Sequence, residues 1–243
     1  MPLNSLPSAS TSSRRIYKSR TFDAQWRAWL GLVFFGIVSG LAMTCSALPL
    51  AGTKSIGPSG DYASVGTALA DVQAQGLSGA LVLELQANYD CSVESFPLTF
   101  GNLATSASNT LTLRPQLGAT GLVITRGDTS AATIDLNGTA YVTIDGRPGG
   151  LGDVGQLTIK NTNASGVALR FINGSAHCSV RYASLRGVNT SPTSGVVVFG
   201  STTGMAGCWV IYVDHCDIGD IAGLGTPTNG VYALGNATDR ELN

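Results

Sequence analysis

Aromatic residues and helix-forming stretches are scarce in this 243-residue chain, in which Phe, Trp and Tyr make up only 7%. β-Propeller blades need four strands per repeat and usually aromatic signatures, which this composition does not supply. No amphipathic helix is visible after Gly76, so helical repeats and leucine-rich repeats with a helix in each turn are excluded. The Cys-x2-Cys spacing typical of structural zinc sites is missing. The Gly-Gly-x-Gly-x-Asp calcium repeat is missing too.

Charge is equally sparse, at 12% of the residues. Of the 14 basic residues five lie before Ala47, and of the 15 acidic residues one does, which leaves a net charge of about −5 for the remainder. The Lys and Arg residues of that remainder are scattered. Nucleic-acid binding needs a concentrated basic face, so we expect no nucleic-acid partner. For the same reason we expect no docking on an anionic lipid surface.

A repeat is present instead. A polar residue, a glycine and a valine-led apolar run recur at Gly166, Gly195 and Gly230, which are 29 and 35 residues apart. A second spacing also recurs, because Val180-x4-Leu185-x2-Val188 matches Val213-x4-Ile218-x2-Ile221. Repeats of about 20 to 50 residues indicate a solenoid, a propeller or an array. The shared lead predicts that strands at 167–171, 196–199 and 231–234 stack in parallel, with Val167, Val196 and Val231 in one column.

The repeated segments are short, rich in Val and Ile, and alternate apolar with polar residues, which is the pattern of a half-buried strand. Gly, Asn, Asp, Ser and Thr lie between them and suit turns. The pattern therefore predicts an all-β parallel β-helix, in which each coil adds two or three short strands. Three segments carry a family resemblance, namely 56–62, which leads into a short helix, 141–146 and 213–218. Through them the chain from Thr53 to Asn243 resembles right-handed parallel β-helix repeat proteins of the secreted bacterial kind, the pectate-lyase-like solenoids.

The N-terminal segment has the pattern of an export signal. Five basic residues lie between Arg14 and Arg27, and the uncharged, strongly apolar stretch from Trp29 to Ala47 follows. This pattern predicts a signal peptide over 1–47, with cleavage after Ala47 or, as a second choice, after Ala51. The alternative is an uncleaved signal anchor, because about 20 apolar residues can span a bilayer. Both alternatives predict a secreted or cell-envelope protein, with a membrane contact only through an uncleaved leader.

The rest of the chain divides into two parts. Residues 48–80 are interpreted as a linker and an N-terminal capping helix, with Ser64 as N-cap and Gly76 as the end of the helix. Residues 81–243 are interpreted as the coils of the β-helix, with strands predicted up to Lys160 at 81–85, 98–100, 111–114, 122–124, 133–136, 141–144 and 157–160. The last repeat has only begun when the chain stops, so we expect a piece of a longer protein. Its further coils, or self-association, would then cover the last coil.

Acidic residues are the first candidates for chemistry. Asp145 follows a strand, and Asp214, Asp217 and Asp220 lie in one predicted coil. Carboxylates on neighbouring coils could bind Ca²⁺ or act as acid and base on a sugar. The alternative is that an Asp after a strand serves only the turn. We therefore predict no obligatory cofactor, with Ca²⁺ as the open alternative.

Val213-Asp214-His215-Cys216 is similar to a Trp-Ile-Asp-His motif of pectate lyases, but it departs from that motif at the aromatic position. His215 is a weak candidate for a catalytic base, and a turn or ladder residue is the preferred interpretation. Tyr182 and Tyr212 lie 30 residues apart, so they could stack on successive coils and contact a sugar. Cys208 and Cys216 are the one disulfide pair to test, although buried free thiols are preferred.

Two functions remain. The preferred hypothesis is a non-catalytic secreted or envelope module that acts as a stalk, an adhesive segment or a glycan-contacting surface. The alternative is a polysaccharide lyase or glycoside hydrolase whose catalytic coils are degenerate or lie outside this chain. The resemblance does not decide between them, because one fold can carry many functions. An extracellular or cell-surface polysaccharide is the expected partner under both hypotheses.

Overall fold

The computed structural model describes residues 48–128, 131–201 and 205–235. The predicted signal peptide lies outside the described residues. Within them the chain is mostly β, with one short helix and three parallel sheets that wind into a β-solenoid of about five coils. No helix in these ranges is long and apolar enough to cross a bilayer.

The helix precedes the coils, as predicted. Helix α1 (Val65–Gln75) begins after Ser64, whose hydroxyl accepts a hydrogen bond from the Thr67 amide at 3.1 Å. The Glu94 carboxylate accepts from the amides of Val65 and Gly66 at 2.6 and 3.0 Å, so the free N–H groups of the first turn are satisfied. The apolar stripe of α1 is buried, which joins the helix to the core of the first coil. This packing confirms the predicted amphipathic helix, which begins and ends where its capping residues indicate.

Fifteen strands, numbered in chain order, follow the described residues and form three sheets. The six-stranded sheet consists, in spatial order, of β1 (Leu50–Ile56), β2 (Leu77–Leu85), β4 (Leu111–Pro115), β7 (Val142–Asp145), β10 (Ala176–Arg181) and β13 (Trp209–Asp214). The four-stranded sheet consists of β14 (Asp217–Gly219), β11 (Ala183–Gly187), β8 (Leu157–Asn161) and β5 (Leu122–Arg126). The five-stranded sheet consists of β15 (Val231–Ala233), β12 (Val197–Gly200), β9 (Val167–Ile172), β6 (Ala132–Asn137) and β3 (Leu98–Gly101).

Each complete coil visits the six-stranded, the four-stranded and then the five-stranded sheet. All pairings between these strands are parallel. The first coil has no strand in the four-stranded sheet and carries a 3₁₀ turn at Cys91–Val93 instead. A second 3₁₀ turn at Pro148–Gly150 lies in the loop between β7 and β8.

One strand was not predicted. Residues 50–56, interpreted from the sequence as linker, form β1, which pairs with β2 from Leu50 to Ile56. The sequence of β1 is polar and interrupted by Gly52, so it lacks the apolar alternation that reveals the other strands. β1 lies at the edge of the six-stranded sheet and buries few of its side chains. Its sequence therefore needs little apolar alternation.

The predicted stacking of the repeats is confirmed, but their predicted register is wrong. The segments at 167, 196 and 231 do stack in parallel, in the five-stranded sheet. However, Val231 pairs with Val197, and Val197 pairs with Leu169, so Val167 and Val196 do not share the column of Val231. The second spacing gives the correct register, since Val180 pairs with Val213 and Leu185 pairs with Ile218.

The core lies between the three sheets and consists of inward columns of apolar side chains. One column on the five-stranded sheet contains Phe171 and Phe199, whose rings stack with centroids 5.0 Å apart and 8° between their planes. Offset aromatic pairs of this kind add about 0.5–1.5 kcal/mol beyond their burial. The inward columns therefore fix the register, and the outward columns remain for surface chemistry.

Candidate functional site

The sequence-predicted site residues lie mainly on one surface, the outer face of the six-stranded sheet and its corner with the four-stranded sheet. Tyr212 lies on β13, Asp145 ends β7 and Asp214 ends β13. Tyr182 and His215 lie at the corner that follows β10 and β13. We call this surface the outer face. Asp217 and Asp220 lie beyond the corner, in and after β14.

Charged residues of alternating sign form a ladder at the end of this sheet. The strand register aligns Glu84 with Arg114 and Asp145 with Arg181, and Arg181 is aligned in turn with Asp214. Arg114 donates two hydrogen bonds to Glu84 Oε1, from Nε at 2.9 Å and from Nη2 at 2.7 Å. Because parallel coils stack about 4.8 Å apart, aligned charges of opposite sign face each other directly. The alternation thus stabilises the stacking of the coils.

Asp145 is the buried member of this ladder, with a side chain only 2% exposed. Arg147 donates to both carboxylate oxygens at 2.9 and 2.8 Å, and Arg181 Nε donates to Oδ2 at 3.0 Å. Burial by itself raises the pKa of this carboxyl group. The hydrogen bonds from Arg147 and the charges of both arginines outweigh burial and bring the pKa below its ordinary value. Asp145 is therefore a carboxylate held between two guanidinium groups.

The corner carries a short stack of planar side chains. The Tyr182 and His215 rings stack with centroids 4.7 Å apart and 15° between their planes. The Arg147 guanidinium lies 4.4 Å from the centroid of the same tyrosine ring, a cation–π contact. Both Tyr182 and His215 have a left-handed backbone, with φ of 51° and 50°. In each of these two coils a single left-handed residue therefore makes the turn at the corner, and its side chain points outward.

Close backbone contact fixes this corner against the preceding coil. A Cβ added at Gly146 would lie 1.9 Å from the carbonyl oxygen of Tyr182, and one added at Gly155 would lie 1.7 Å from it. The amide of Gly146 donates to the carbonyl of Arg181 at 2.8 Å. Only glycine allows such an approach. The loop between β7 and β8 therefore leaves the solenoid and returns to it at the backbone of Tyr182.

A second stack lies at the opposite end of the same strands. Tyr141 and His177 stack with centroids 4.8 Å apart and 9° between planes, and Trp209 meets His177 edge-on at 4.5 Å. Between the two stacks, the Thr143 and Ser179 hydroxyls are 3.1 Å apart and hydrogen-bonded. Trp209 and Tyr212, both on β13, are 45% and 62% exposed. The outer face thus combines aromatic, hydroxyl and charged side chains on one sheet.

Two predicted groupings do not form. Tyr182 is aligned with His215, whereas Tyr212 is aligned with Ser179, so the two tyrosines do not stack on each other. Asp214, Asp217 and Asp220 are not brought together either. Asp214 contacts His215, Asp217 contacts Arg186 in the four-stranded sheet, and no group of three or more metal-ligating side chains occurs in the part of the chain that the structure describes.

Asp214 and His215 form the one acid–imidazole contact of the outer face. Asp214 Oδ1 lies 2.7 Å from His215 Nδ1, and both side chains are well exposed. A carboxylate at this distance orients the imidazole and leaves its other nitrogen for a proton transfer. The sequence singled out both residues, but it did not indicate Arg181, which the register aligns with Asp214, or Arg147, which binds Asp145.

Cys208 and Cys216, the one disulfide pair that the sequence offered for testing, are not joined in the structure. Cys208 directly precedes β13 and Cys216 follows it by two residues, so a six-residue strand separates them. A strand rises about 3.3 Å per residue, whereas the Cα atoms of a disulfide lie within about 7 Å of each other. The Cys216 thiol instead lies 3.4 Å from the carbonyl of Val180, and burial raises its pKa. Burial likewise raises the pKa of the Cys178 thiol, to about 11.

Comparison with protein-family models, with curated proteins and with solved structures finds no match for this chain. The fold and the outer face therefore define its class by themselves. The chain is a parallel β-solenoid with a short helix ahead of its coils.

Proposed function

We propose that the chain is an exported, right-handed β-solenoid module without catalytic activity, and that its outer face contacts an extracellular or cell-envelope polysaccharide. The observation that carries the proposal is the concentration of aromatic, hydroxyl and charged side chains on the six-stranded sheet, where most of them bind one another in ladders. The export component is supported by the apolar stretch from Trp29 to Ala47. The right-handed winding is supported by the resemblance of the chain to secreted β-helix proteins.

The contact surface for a sugar is expected at β13. The ring of Tyr182 is covered on one side by Arg147 and on the other by His215, so it offers no face to a ligand. Trp209, whose ring meets that of His177, and Tyr212 are both exposed aromatic side chains of β13. Aromatic rings of this kind bind the apolar faces of sugar rings, and the polar groups around them fix the orientation.

Binding measurements on a panel of neutral and acidic polysaccharides, by affinity electrophoresis of the exported protein, test this proposal. We expect Trp209→Ala and Tyr212→Ala each to weaken binding about tenfold, which corresponds to about 1.4 kcal/mol. Tyr232→Ala is the matched control, because Tyr232 lies in the same coil but on the five-stranded sheet. Equal losses in all three variants, or no binding to any polysaccharide in the panel, would contradict the proposal.

The contact between Asp214 and His215 supports a second candidate, a polysaccharide lyase or hydrolase. In a lyase, His215 would remove a proton from the sugar ring and the nearby Arg181 would offset the charge of a uronate carboxylate. Depolymerisation of acidic glycans, measured by the absorbance of the unsaturated product and by reducing ends, distinguishes this candidate. Turnover that disappears in His215→Ala while binding persists would favour the enzyme over the binding module.

A further inference from the structure

Four Asn-x-Ser/Thr sequences occur in the described residues, at Asn137, Asn163, Asn173 and Asn189. Such a sequence is an acceptor for N-linked oligosaccharides in exported proteins, provided that it lies on the surface. All four lie at turns of the solenoid, so the motif alone does not distinguish them. Their hydrogen bonds and burial do.

Asn189 is fully buried in the corner between the four-stranded and five-stranded sheets. Its Nδ2 group donates to the Gly166 carbonyl at 2.8 Å and is 3.1 Å from the Ser194 hydroxyl. A glycan on this nitrogen would leave it a single N–H for the two contacts and could not be accommodated in the core. The folded chain therefore excludes a glycan at Asn189.

Asn137 and Asn173 bind each other across successive coils, with Asn173 Nδ2 donating to Asn137 Oδ1 at 2.8 Å. The hydroxyl residues of their motifs are buried as well. Thr139 is 2% exposed, and Ser175 is fully buried with its hydroxyl bound to the carbonyls of Leu136 and Ile172. A glycan on Asn173 would crowd the nitrogen that makes this contact between coils, and the buried hydroxyl residues close both motifs to a transferase.

Asn163 differs from the other three. It lies in the turn between β8 and β9, and both remaining residues of its motif, Ala164 and Ser165, are exposed. Its Oδ1 accepts a hydrogen bond from the Ser165 amide at 2.9 Å, so the carbonyl side of the carboxamide faces its own turn. The Asn163 side chain is partly exposed, and its Nδ2 group is therefore accessible for a reaction at the surface.

We propose that Asn163 is an N-glycosylation site of this chain when it passes through a compartment that transfers oligosaccharides from a lipid diphosphate. The amide nitrogen of Asn163 forms a bond to C1 of the oligosaccharide, the bond between C1 and the phosphate oxygen breaks, and the lipid diphosphate leaves with the electron pair. One amide proton passes to a base of the transferase. The inference rests on the export part of the proposed function.

The position of the site suits the proposed binding surface. Asn163 lies at the corner between the four-stranded and five-stranded sheets, the one corner that does not border the six-stranded sheet. A bulky, soluble oligosaccharide there leaves the outer face open. The glycan would also cover exposed turns of the solenoid and oppose association of chains through that corner.

The test is secretion of the full chain from a eukaryotic host, followed by enzymatic release of N-glycans in H₂¹⁸O and peptide mass spectrometry. We expect the conversion of Asn to labelled Asp at 163 and its absence at 137, 173 and 189. Asn163→Gln and Ser165→Ala should both abolish the mass shift of the intact protein at this site. Ser191→Ala, which removes the motif of Asn189, should leave that shift unchanged. A secreted chain unmodified at Asn163, or modified at one of the other three positions, would overturn the proposal.

A second version of the chain separates this result from the export proposal. Residues 47–243 form a compact unit of their own, so the host's signal sequence can replace residues 1–46. If Asn163 is modified in the version with the host's signal sequence but not in the full chain, export by the native leader is refuted and the glycosylation site is supported. Secretion of both versions without a glycan would refute the site and support export.

Discussion

Replacing Asp145 by Asn tests how far the charge ladder holds successive coils together. The substitution keeps the shape of the side chain and removes its charge. Two guanidinium groups lose their shared carboxylate, because Arg147 and Arg181 both bind Asp145. Removing one partner of a buried ion pair costs about 3–5 kcal/mol. The two arginines are 16% and 43% exposed and can regain water, so we expect a smaller loss of about 2–3 kcal/mol in the free energy of unfolding.

The loss should depend on pH in a defined direction. The pKa of Asp145 is lower in the folded chain than in the unfolded chain, where it is about 3.9. Its contribution to stability is therefore fully present above that value and is lost as pH falls through the lower, folded value. The difference between the native chain and Asp145→Asn should be constant from about pH 7 to pH 5 and should shrink below about pH 4.

Urea unfolding followed by far-ultraviolet circular dichroism at several pH values measures this difference. Asp153→Asn is the matched control, because Asp153 is an exposed carboxylate in the same loop. We expect the control to change stability by less than about 0.5 kcal/mol. The reasoning about the ladder would be refuted if Asp145→Asn also stayed within this range at pH 7, or if its effect persisted undiminished to pH 3.

Three further predictions concern the core, the last coil and the leader. Phe171→Ala should lower the free energy of unfolding by about 3–5 kcal/mol, because the side chain is fully buried. In the same urea titration, the exposed Leu151→Ala should change little, and equal effects would contradict the assigned core. Amide hydrogens of 226–235 should exchange faster than those of 167–172, because β15 has one strand neighbour and β9 has two, and equal protection in hydrogen-exchange mass spectrometry would refute this. N-terminal sequencing of the exported protein should find Leu48 or Gly52 as the first residue, whereas an intact Met1 would support the signal anchor.

The sequence predicts the strands well because alternation of apolar and polar residues is local. Each predicted strand from Leu81 to Lys160 coincides with a strand of the structure, and α1 follows from one apolar stripe between its two capping residues. Register is not local. Gly166 lies three residues before Leu169, Gly195 two before Val197, and Gly230 one before Val231. The core column that contains Phe171 and Phe199 therefore sets which residues are aligned. An alignment of the three glycines instead gives a register that is wrong by one further residue in each coil.

The pairing of residues in the candidate site is likewise not read from local sequence. The spacing of Val180 and Val213 is 33 residues, and this period pairs Tyr182 with His215, whereas the 30-residue separation of Tyr182 and Tyr212 corresponds to no pairing. The correct partner was therefore available from the sequence. Arg147 was not, because it lies in a loop outside the repeat, where it binds Asp145 and lies over the ring of Tyr182.

The ladders also indicate where this surface can bind. In a solenoid each outward side chain has a like-placed neighbour about 4.8 Å away on the next coil, so aromatic faces, hydroxyls and charges satisfy one another along the stack. Thr143 with Ser179, Asp145 with Arg181 and Tyr141 with His177 are such pairs. A residue inside a ladder has little contact left for a ligand. If the outer face binds a polysaccharide as we propose, we therefore expect the binding free energy to come from β13, the last described strand of the six-stranded sheet, where Trp209 and Tyr212 keep about half of their surface exposed.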